Sequence, residues 1–496
     1  MTNIIRYPEK AASRNYDVII IGGGIYGITL ALEASLRGKR SLLLEKGDFG
    51  EYTSFNSLKI IHGGLRYLQS LDLPRFWESV RERSWYLKHF PHRVHPMPCL
   101  MPLYGRGLKR PVIFRIALLL NHLLSPGRNR DLEEDRKLPV GRIVSAAESQ
   151  KIFPLVNTEG LQGSALWYDA CMPDSQLLVM ELLRTACDLG ATPLNYCEVQ
   201  SLTLSTDRTI IEGVHALDRE SGKTYEFSAP IVINSAGPWC RAVVNGIGGD
   251  CEELFRPSLA WNISFNRPAL SDHALAVQAD TPGSRALFVT PWKGRIFAGC
   301  GHEPWLKGPD RPMPTRKQIN TFIKELNAAI PGLDLNINDV HRVFAGLLPT
   351  VENGSNILTR REVIIDHGAK QGPQGLYSVG GIKFTTARLV AEKIWGMISK
   401  NNPGLIPPDT AMPVCRTGIY PQDSDTKQGM YKILASDKTI VHLDDLIVRR
   451  STTWEKGPDA VSDDLTEMFD WGDPRKMEEL AKCIASVQPL TQEDNS

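Results

Sequence analysis

The chain first shows its organisation at Tyr16, where a polar N-terminal stretch gives way to YDVIIIGGGIYGITLALEASLRGKRSLLLEKGD. Val18 to Ile21 is an unbroken β-branched run, which predicts a strand buried on both faces. Ile28 to Arg37 has the composition of a helix, Gly38 is its stop signal, and Ser41 to Leu44 predicts a second buried strand ending at Glu45. Two later segments repeat the theme. Ala229 to Trp239 (APIVINSAGPW) predicts a buried strand entering a turn of small residues, and Gly375 to Arg388 (GLYSVGGIKFTTAR) a strand, a glycine turn and a helix through Ile394. Ser258–Phe265 and Arg285–Cys300 are strand-like and lie outside these units. The longest strongly apolar stretch, Pro111 to Leu124, is interrupted by Arg115, Asn121 and His122, and is too short and too polar to span a bilayer.

The first unit carries chemistry because of where its glycines fall. Gly22, Gly24 and Gly27 make a G-x-G-x-x-G between the first strand and the first helix. Gly22 permits a tight turn, Gly24 lets backbone approach a pyrophosphate, and Gly27 lets helix and strand pack closely. The diphosphate then sits at the positive end of the helix. Glu45, eighteen residues after Gly27, is placed to accept hydrogen bonds from a ribose 2′-hydroxyl and to repel a 2′-phosphate. A dinucleotide site follows, for FAD or NAD. The late returns at 229–239 and 375–388 favour the longer FAD, with an NAD-dependent dehydrogenase as the other reading.

Composition narrows the class. In 496 residues, 57 Lys+Arg face 56 Asp+Glu, a net charge of +1 that argues against a nucleic-acid binder. The hydrophobic share of 42% is that of an ordinary folded protein, and the length predicts two or three domains. The nine cysteines are scattered without a C-x-x-C pair, which suggests a reducing compartment, and the histidines lack metal-ligand spacing, so no metal is assigned. The N-terminus has no signal-peptide core, and the expected location is cytoplasmic. The charge is uneven, however. Residues 83–130 hold nine Lys+Arg, four histidines and no acid, whereas the stretch from Asp459 onward holds ten acids and three bases. Two readings of 83–130 stay open: a peripheral contact with the anionic inner face of a membrane, or an ordinary core or cap helix whose arginines face solvent or that acidic tail.

The strings GGGIYG, IHGGLRYL, INSAGPW and GGIKFTTAR resemble the FAD-dependent glycerol-3-phosphate dehydrogenases, within the D-amino-acid-oxidase-like flavoproteins. LFVTPWKGRIFAGCGHEPW and, more faintly, VHLDDLIVRRSTTW extend the resemblance over most of the chain. The resemblance implies an α/β fold in which a Rossmann-like FAD-binding domain (about 15–90, 150–255 and 350–402) is interleaved with an antiparallel β-sheet substrate domain (about 91–149 and 256–349). A helical C-terminal cap, 403–496, would follow a linker at Pro403–Pro413. It places Gly22, Gly24, Gly27, Glu45, Lys46, Thr53, Ser54, Ser57, His62, Gly63, Gly64, Val199, Ala236, Gly237, Gly381, Ile382, Lys383, Phe384 and Thr385 at the cofactor.

On the substrate side, the resemblance implies Arg66, Tyr67 and Lys383, with Arg360 for a substrate phosphate. Two positions depart from the family. Its G-V-R-P-L segment is Gly346-Leu-Leu-Pro-Thr350 here, so Leu348 replaces a phosphate-binding arginine, and Asn262 stands where a roof-strand histidine is the proposed proton acceptor. Leucine cannot fork onto a phosphate, and neutral asparagine cannot act as a base. The implied reaction is oxidation of a CH–OH group of a glycerol-3-phosphate-like or substituted polyol, with quinone or oxygen as final acceptor. The departures keep two alternatives open: an amine or amino-acid oxidase, and a catalytically decayed flavoprotein that binds a partner. Oligomeric state is left open.

Overall fold

The structure, a computed structural model, describes residues 3–105, 107, 109–280, 284–401, 412–415, 426–456, 469 and 471–487. Val18–Ile21 forms the central strand of a six-stranded sheet, paired in parallel with Ser41–Leu44 on one side and Val232–Asn234 on the other. Thr192–Leu194 and Leu376–Gly380 extend it in parallel, and Val363–Asp366 closes one edge antiparallel. All four side chains of Val18–Ile21 and of Ser41–Leu44 are buried, as continuous apolar runs require. The helices Ile25–Leu36, Ser175–Asp188 and Ala387–Asn401 pack together, and their apolar residues join the sheet in one core.

The second sheet is mostly antiparallel and forms a roof over the strand ends. Its backbone is Val340–Pro349, Pro257–Pro268 and Arg295–Pro304, followed by Leu287–Trp292 and Ala274–Val277. The segment Arg285–Cys300 is a hairpin rather than one strand, because Lys293 (φ 52°) and Gly294 (φ 76°) form a two-residue turn. The roof also takes Ile60–Ile61 and Ser164–Cys171, which lie in sequence regions expected to serve the nucleotide domain. The described residues thus have the interleaved α/β architecture that the sequence implies.

Pro111–Leu123 is a helix, but not a core helix. Only Phe114 and Leu118 are buried, whereas Val112 (65% exposed), Ile116, Leu119 and Leu123 form an outward stripe at i, i+4, i+7 and i+11. Arg110, Arg115 and His122 are exposed around it. Of the readings for this segment, a core helix is therefore set aside, whereas a cap helix with solvent-facing arginines stays open: Phe114 and Leu118 are buried, Ile113, Ala117 and Leu124 are half-buried, and the stripe is exposed. No described helix is long and apolar enough to cross a membrane.

Beyond residue 401 the described chain is mainly helical, with Lys427–Ser436 and Asp473–Val487 the longest pieces; the expected linker lies outside the described residues except at Met412 and Pro413. Asp48, just after the second strand, anchors this region. Its carboxylate receives Arg449 Nε and both terminal nitrogens of Arg450, together with Asn195 Nδ2 at 2.9 Å. Burial alone would raise the Asp48 pKa, but the two guanidinium groups hold it below the usual carboxylate range. Arg449 also bonds Asp444 (2.7 Å) and Asp445 (2.8 Å), and Tyr196 donates to Asp445 at 2.6 Å. Asp48→Ala would remove the carboxylate shared by two buried cations and leave Arg450 only the Asp437 carboxylate, at 3.5 Å, so it should cost about 3–5 kcal/mol in urea unfolding followed by fluorescence. A loss below about 1 kcal/mol would show that the arginines find equivalent partners.

Candidate functional site

The two sheets enclose a cavity of about 1170 Å³, above the ~300–1,000 Å³ usual for a small-molecule site, running from the first glycine turn to the surface helix. At the turn, Gly22 adopts φ 101°, and a Cβ there would meet the Ser235 carbonyl oxygen at 2.6 Å. A Cβ on Gly27 would lie 1.8 Å from the Gly22 oxygen, so Gly27 supports the packing without lining the cavity. Gly24 caps the helix Ile25–Leu36 and faces the cavity with only Ser54 Oγ near its missing Cβ, at 3.2 Å. Ser54 Oγ in turn accepts the Ile25 N–H at 2.9 Å. Glu45 accepts the N–H groups of Gly23 (2.6 Å) and Gly47 (2.8 Å), and burial nonetheless pushes its carboxyl up to about 7. Val199, Ala236 and Gly237 complete this end, where the Lys46 ammonium lies 3.6 Å from the Trp239 ring centre.

The middle of the cavity is bounded by Thr53, Ser54 and Ser57 from one loop and Gly381, Ile382, Lys383, Phe384 and Thr385 from the late glycine turn. Tyr26, inside GGGIYG, joins the two. Its hydroxyl accepts the N–H groups of Ile382 (3.1 Å) and Lys383 (3.2 Å) and donates to the Lys383 carbonyl (3.0 Å). A Cβ on Gly381 would fall 1.9 Å from the Tyr26 ring, so that glycine is required by the tyrosine. Thr53 Oγ1 donates to the Leu347 carbonyl at 3.3 Å, tying the loop to the roof.

His62 lines the cavity with its side chain half exposed, its Nδ1 3.5 Å from the buried Asp169 carboxylate. Asp169 also accepts the Gly63 N–H (2.7 Å) and pairs with Arg83 (3.3 Å); burial would raise its pKa, but His62, Arg83 and that amide together lower it. Gly63 does not line the cavity: its missing Cβ leaves room for the Arg83 guanidinium. Gly64, at φ 86°, caps the short helix Leu65–Gln69 that brings Arg66 and Tyr67 to the cavity.

Arg66, Tyr67 and Lys383 are brought together. The Lys383 ammonium is 4.3 Å from the Tyr67 ring centre, and burial followed by the Arg66 charge lowers its pKa to about 8. Asn262 faces the same space from the roof, its Nδ2 donating to the Asn56 carbonyl at 3.0 Å and its buried Oδ1 without a protein partner. Leu348 is also in the lining. Arg360 is not: its side chain is exposed outside the cavity, and its carbonyl accepts Arg75 Nη1 at 3.2 Å.

A model of the DAO family, described as FAD dependent oxidoreductase, matches residues 17–394. The chain belongs to this FAD-dependent oxidoreductase family. It is 30% identical over 445 residues to a glycerol-3-phosphate dehydrogenase of Synechocystis sp., covering 86% of this chain and 78% of the relative. With glycerol-3-phosphate dehydrogenase 1 of Mycobacterium tuberculosis it shares 33% over 390 residues, 76% of this chain and 72% of that one. The X-ray structure of the glycerol-3-phosphate dehydrogenase from Bacillus halodurans complexed with FAD matches at a TM-score of 0.70 and 20% identity, covering 98% of both chains.

The oxidoreductase has a cavity that fits its cofactor. The uncovered backbone at Gly24 is open to a diphosphate at the helix start, Glu45 is a buried carboxylate within the lining, and the late turn supplies further backbone beside it. Sequence reasoning missed Tyr26 and Asp169. Tyr26 occupies an unconstrained position of the glycine motif, and only its pairing with Gly381 reveals its role. Asp169 follows Trp167 by two residues on Ser164–Cys171, so period-2 alternation places both on the cavity face.

Proposed function

We propose that this FAD-dependent, glycerol-3-phosphate-dehydrogenase-like oxidoreductase oxidises the CH–OH group of a substituted polyol carrying an anionic group. Quinone or oxygen would be the final electron acceptor. The observation that carries this reading is the joint placement of Arg66, Tyr67 and Lys383 in one cavity, whose lining also includes Leu348 and Asn262. Bound FAD supplies the two-electron acceptor. Gly22, Gly24, Glu45, the loop 53–57 and the turn 381–385 would hold it, and Arg66 and Lys383 would hold the substrate anion by charge-assisted contacts. Leu348 leaves a substrate phosphate one arginine fewer than the family pattern, so the anion depends more on those two cations. Asn262 can orient a hydroxyl through its free Oδ1 but cannot take its proton.

Three outcomes follow from this reading. In anaerobic mixing, glycerol 3-phosphate or a substituted derivative should bleach the flavin band; bleaching by secondary amines or amino acids alone would overturn it. Lys383 loses its cation above about 8, so the affinity for an anionic substrate should fall as pH rises through 8. The Lys383→Met variant should bind more weakly at pH 7, by about tenfold or more, and lack that pH-dependent step in KM. We also propose that Pro111–Leu123 lies on an anionic membrane surface, its apolar stripe inward and Arg110 and Arg115 at the headgroups. Salt-sensitive co-sedimentation with anionic vesicles is expected, and weakened by Ile116→Glu with Leu119→Glu; equal binding by that variant would remove the helix from the contact.

A further inference from the structure

The cavity does not end at the three substrate-side residues. Its far portion is walled by side chains from one apolar cluster, including Ile60, Met101, Phe114, Trp167, Ala276 and Phe288. Met101, Trp167, Ala276 and Phe288 come from four neighbouring roof strands, and the small Ala276 between larger groups opens the space. Phe114 comes from the surface helix Pro111–Leu123, which therefore shows apolar groups to the outside and an aromatic ring to the cavity. The short helix bearing Arg66 and Tyr67 packs directly on this surface helix. An anion site and an apolar wall are thus neighbours within one cavity, and the rim carries another cation, Lys109, bonded to Gln278.

We infer that the site takes an anionic amphiphile: a glycerol phosphate whose remaining part carries a single long alkyl or acyl chain. This rests on the polyol reading above and names its substituent. The phosphate occupies the Arg66–Lys383 end, and the chain runs along Met101, Trp167, Ala276 and Phe288 towards Phe114. A small, fully hydrated substrate would leave this wall wetted, whereas a chain displaces water from apolar surface at each methylene it buries. Leu348 is consistent with the same ligand, because it makes the roof less polar where a second phosphate-binding arginine would otherwise be. The cations argue for an anionic amphiphile over a neutral quinone as the occupant of this portion.

The test is calorimetric binding to the FAD-loaded protein, comparing glycerol 3-phosphate with 1-O-octyl-glycerol 3-phosphate below its micellar concentration. The octyl compound should bind roughly 100-fold more tightly, the equivalent of three to four buried methylene groups. Ala276→Phe and Met101→Trp each fill the apolar end, and whichever retains FAD absorbance should reduce that ratio to below about tenfold. An octyl compound that binds no better than glycerol 3-phosphate, or a ratio that both filled variants preserve, would overturn the inference. Tight binding of glycerol 3-phosphate with no chain advantage removes the chain site alone. Failure of both compounds to bind removes the polyol phosphate reading with it.

Discussion

Two glycine turns, one at residue 22 and the other at residue 381, face each other across a single phenol. Tyr26 reaches over 356 positions of sequence to accept the Ile382 amide, and it takes the Lys383 amide beside it. Neither amide has helical or strand partners, because the chain there is passing from Leu376–Gly380 to Ala387–Asn401. A buried amide without a partner costs about 1–3 kcal/mol, so an apolar ring in place of the phenol would leave the turn unsupported. The ring also excludes any side chain at 381. Tyr26 and Gly381 are therefore one constraint written at two positions, and it sets where Lys383 stands relative to Arg66 and Tyr67. The electrostatics of this end of the cavity descend from it: Lys383 is depressed to about 8 because the turn holds it in a partly dry place next to another cation.

A second long-range tie holds the periphery. Asp48 follows the second strand, while Arg449 and Arg450 come from the C-terminal region, and the ion pairs join the two with little exposure to water. Buried ion pairs are poor sources of net stability but costly to break, so their effect is to fix one arrangement. Aromatic packing continues the tie: Trp454 lies against Trp292 (centroids 5.9 Å apart) and Phe344 (6.4 Å), both on roof strands. The C-terminal residues thereby pack on the face of the roof that also carries Asn262 and Phe288, beside the cavity rather than behind it. The faint resemblance in VHLDDLIVRRSTTW falls on this joint.

What could be read from sequence was local. The first glycine turn was legible because each glycine answers a steric demand within a few residues, and the continuous apolar strands because burial on both faces leaves no alternation. The roof was harder. Arg285–Cys300 looks like one strand until Lys293 is found at positive φ, a conformation that a lysine does not advertise. Tyr26, Asp169 and Asp48 act through partners far along the chain, and no spacing rule connects them. Arg360 shows the converse: a motif placed it at the substrate, yet the fold leaves its side chain outside the cavity and offers only its carbonyl to Arg75.

The basic, acid-free stretch 83–130 was the feature whose meaning depended most on knowing the packing. Composition alone allowed its apolar run to be consumed in a core. The core consumes two residues of it, Phe114 and Leu118, one turn apart on the inner face. An exposed stripe of Val112, Ile116, Leu119 and Leu123 is then unexplained by folding, since the helix would be more soluble with polar groups there. Its exposed cations give the same face an attraction for anionic headgroups. The inner face leads in the other direction, through Phe114, into the portion of the cavity beyond Arg66 and Lys383. A helix apolar on both sides, with one side on the surface and the other on the cavity, shortens the path that an amphiphile must travel through water. On the proposed reading, that connection ties the departure at Leu348 to the surface helix: a site with one fixed charge fewer for a substrate phosphate would gain from a ligand that also binds by burying its chain.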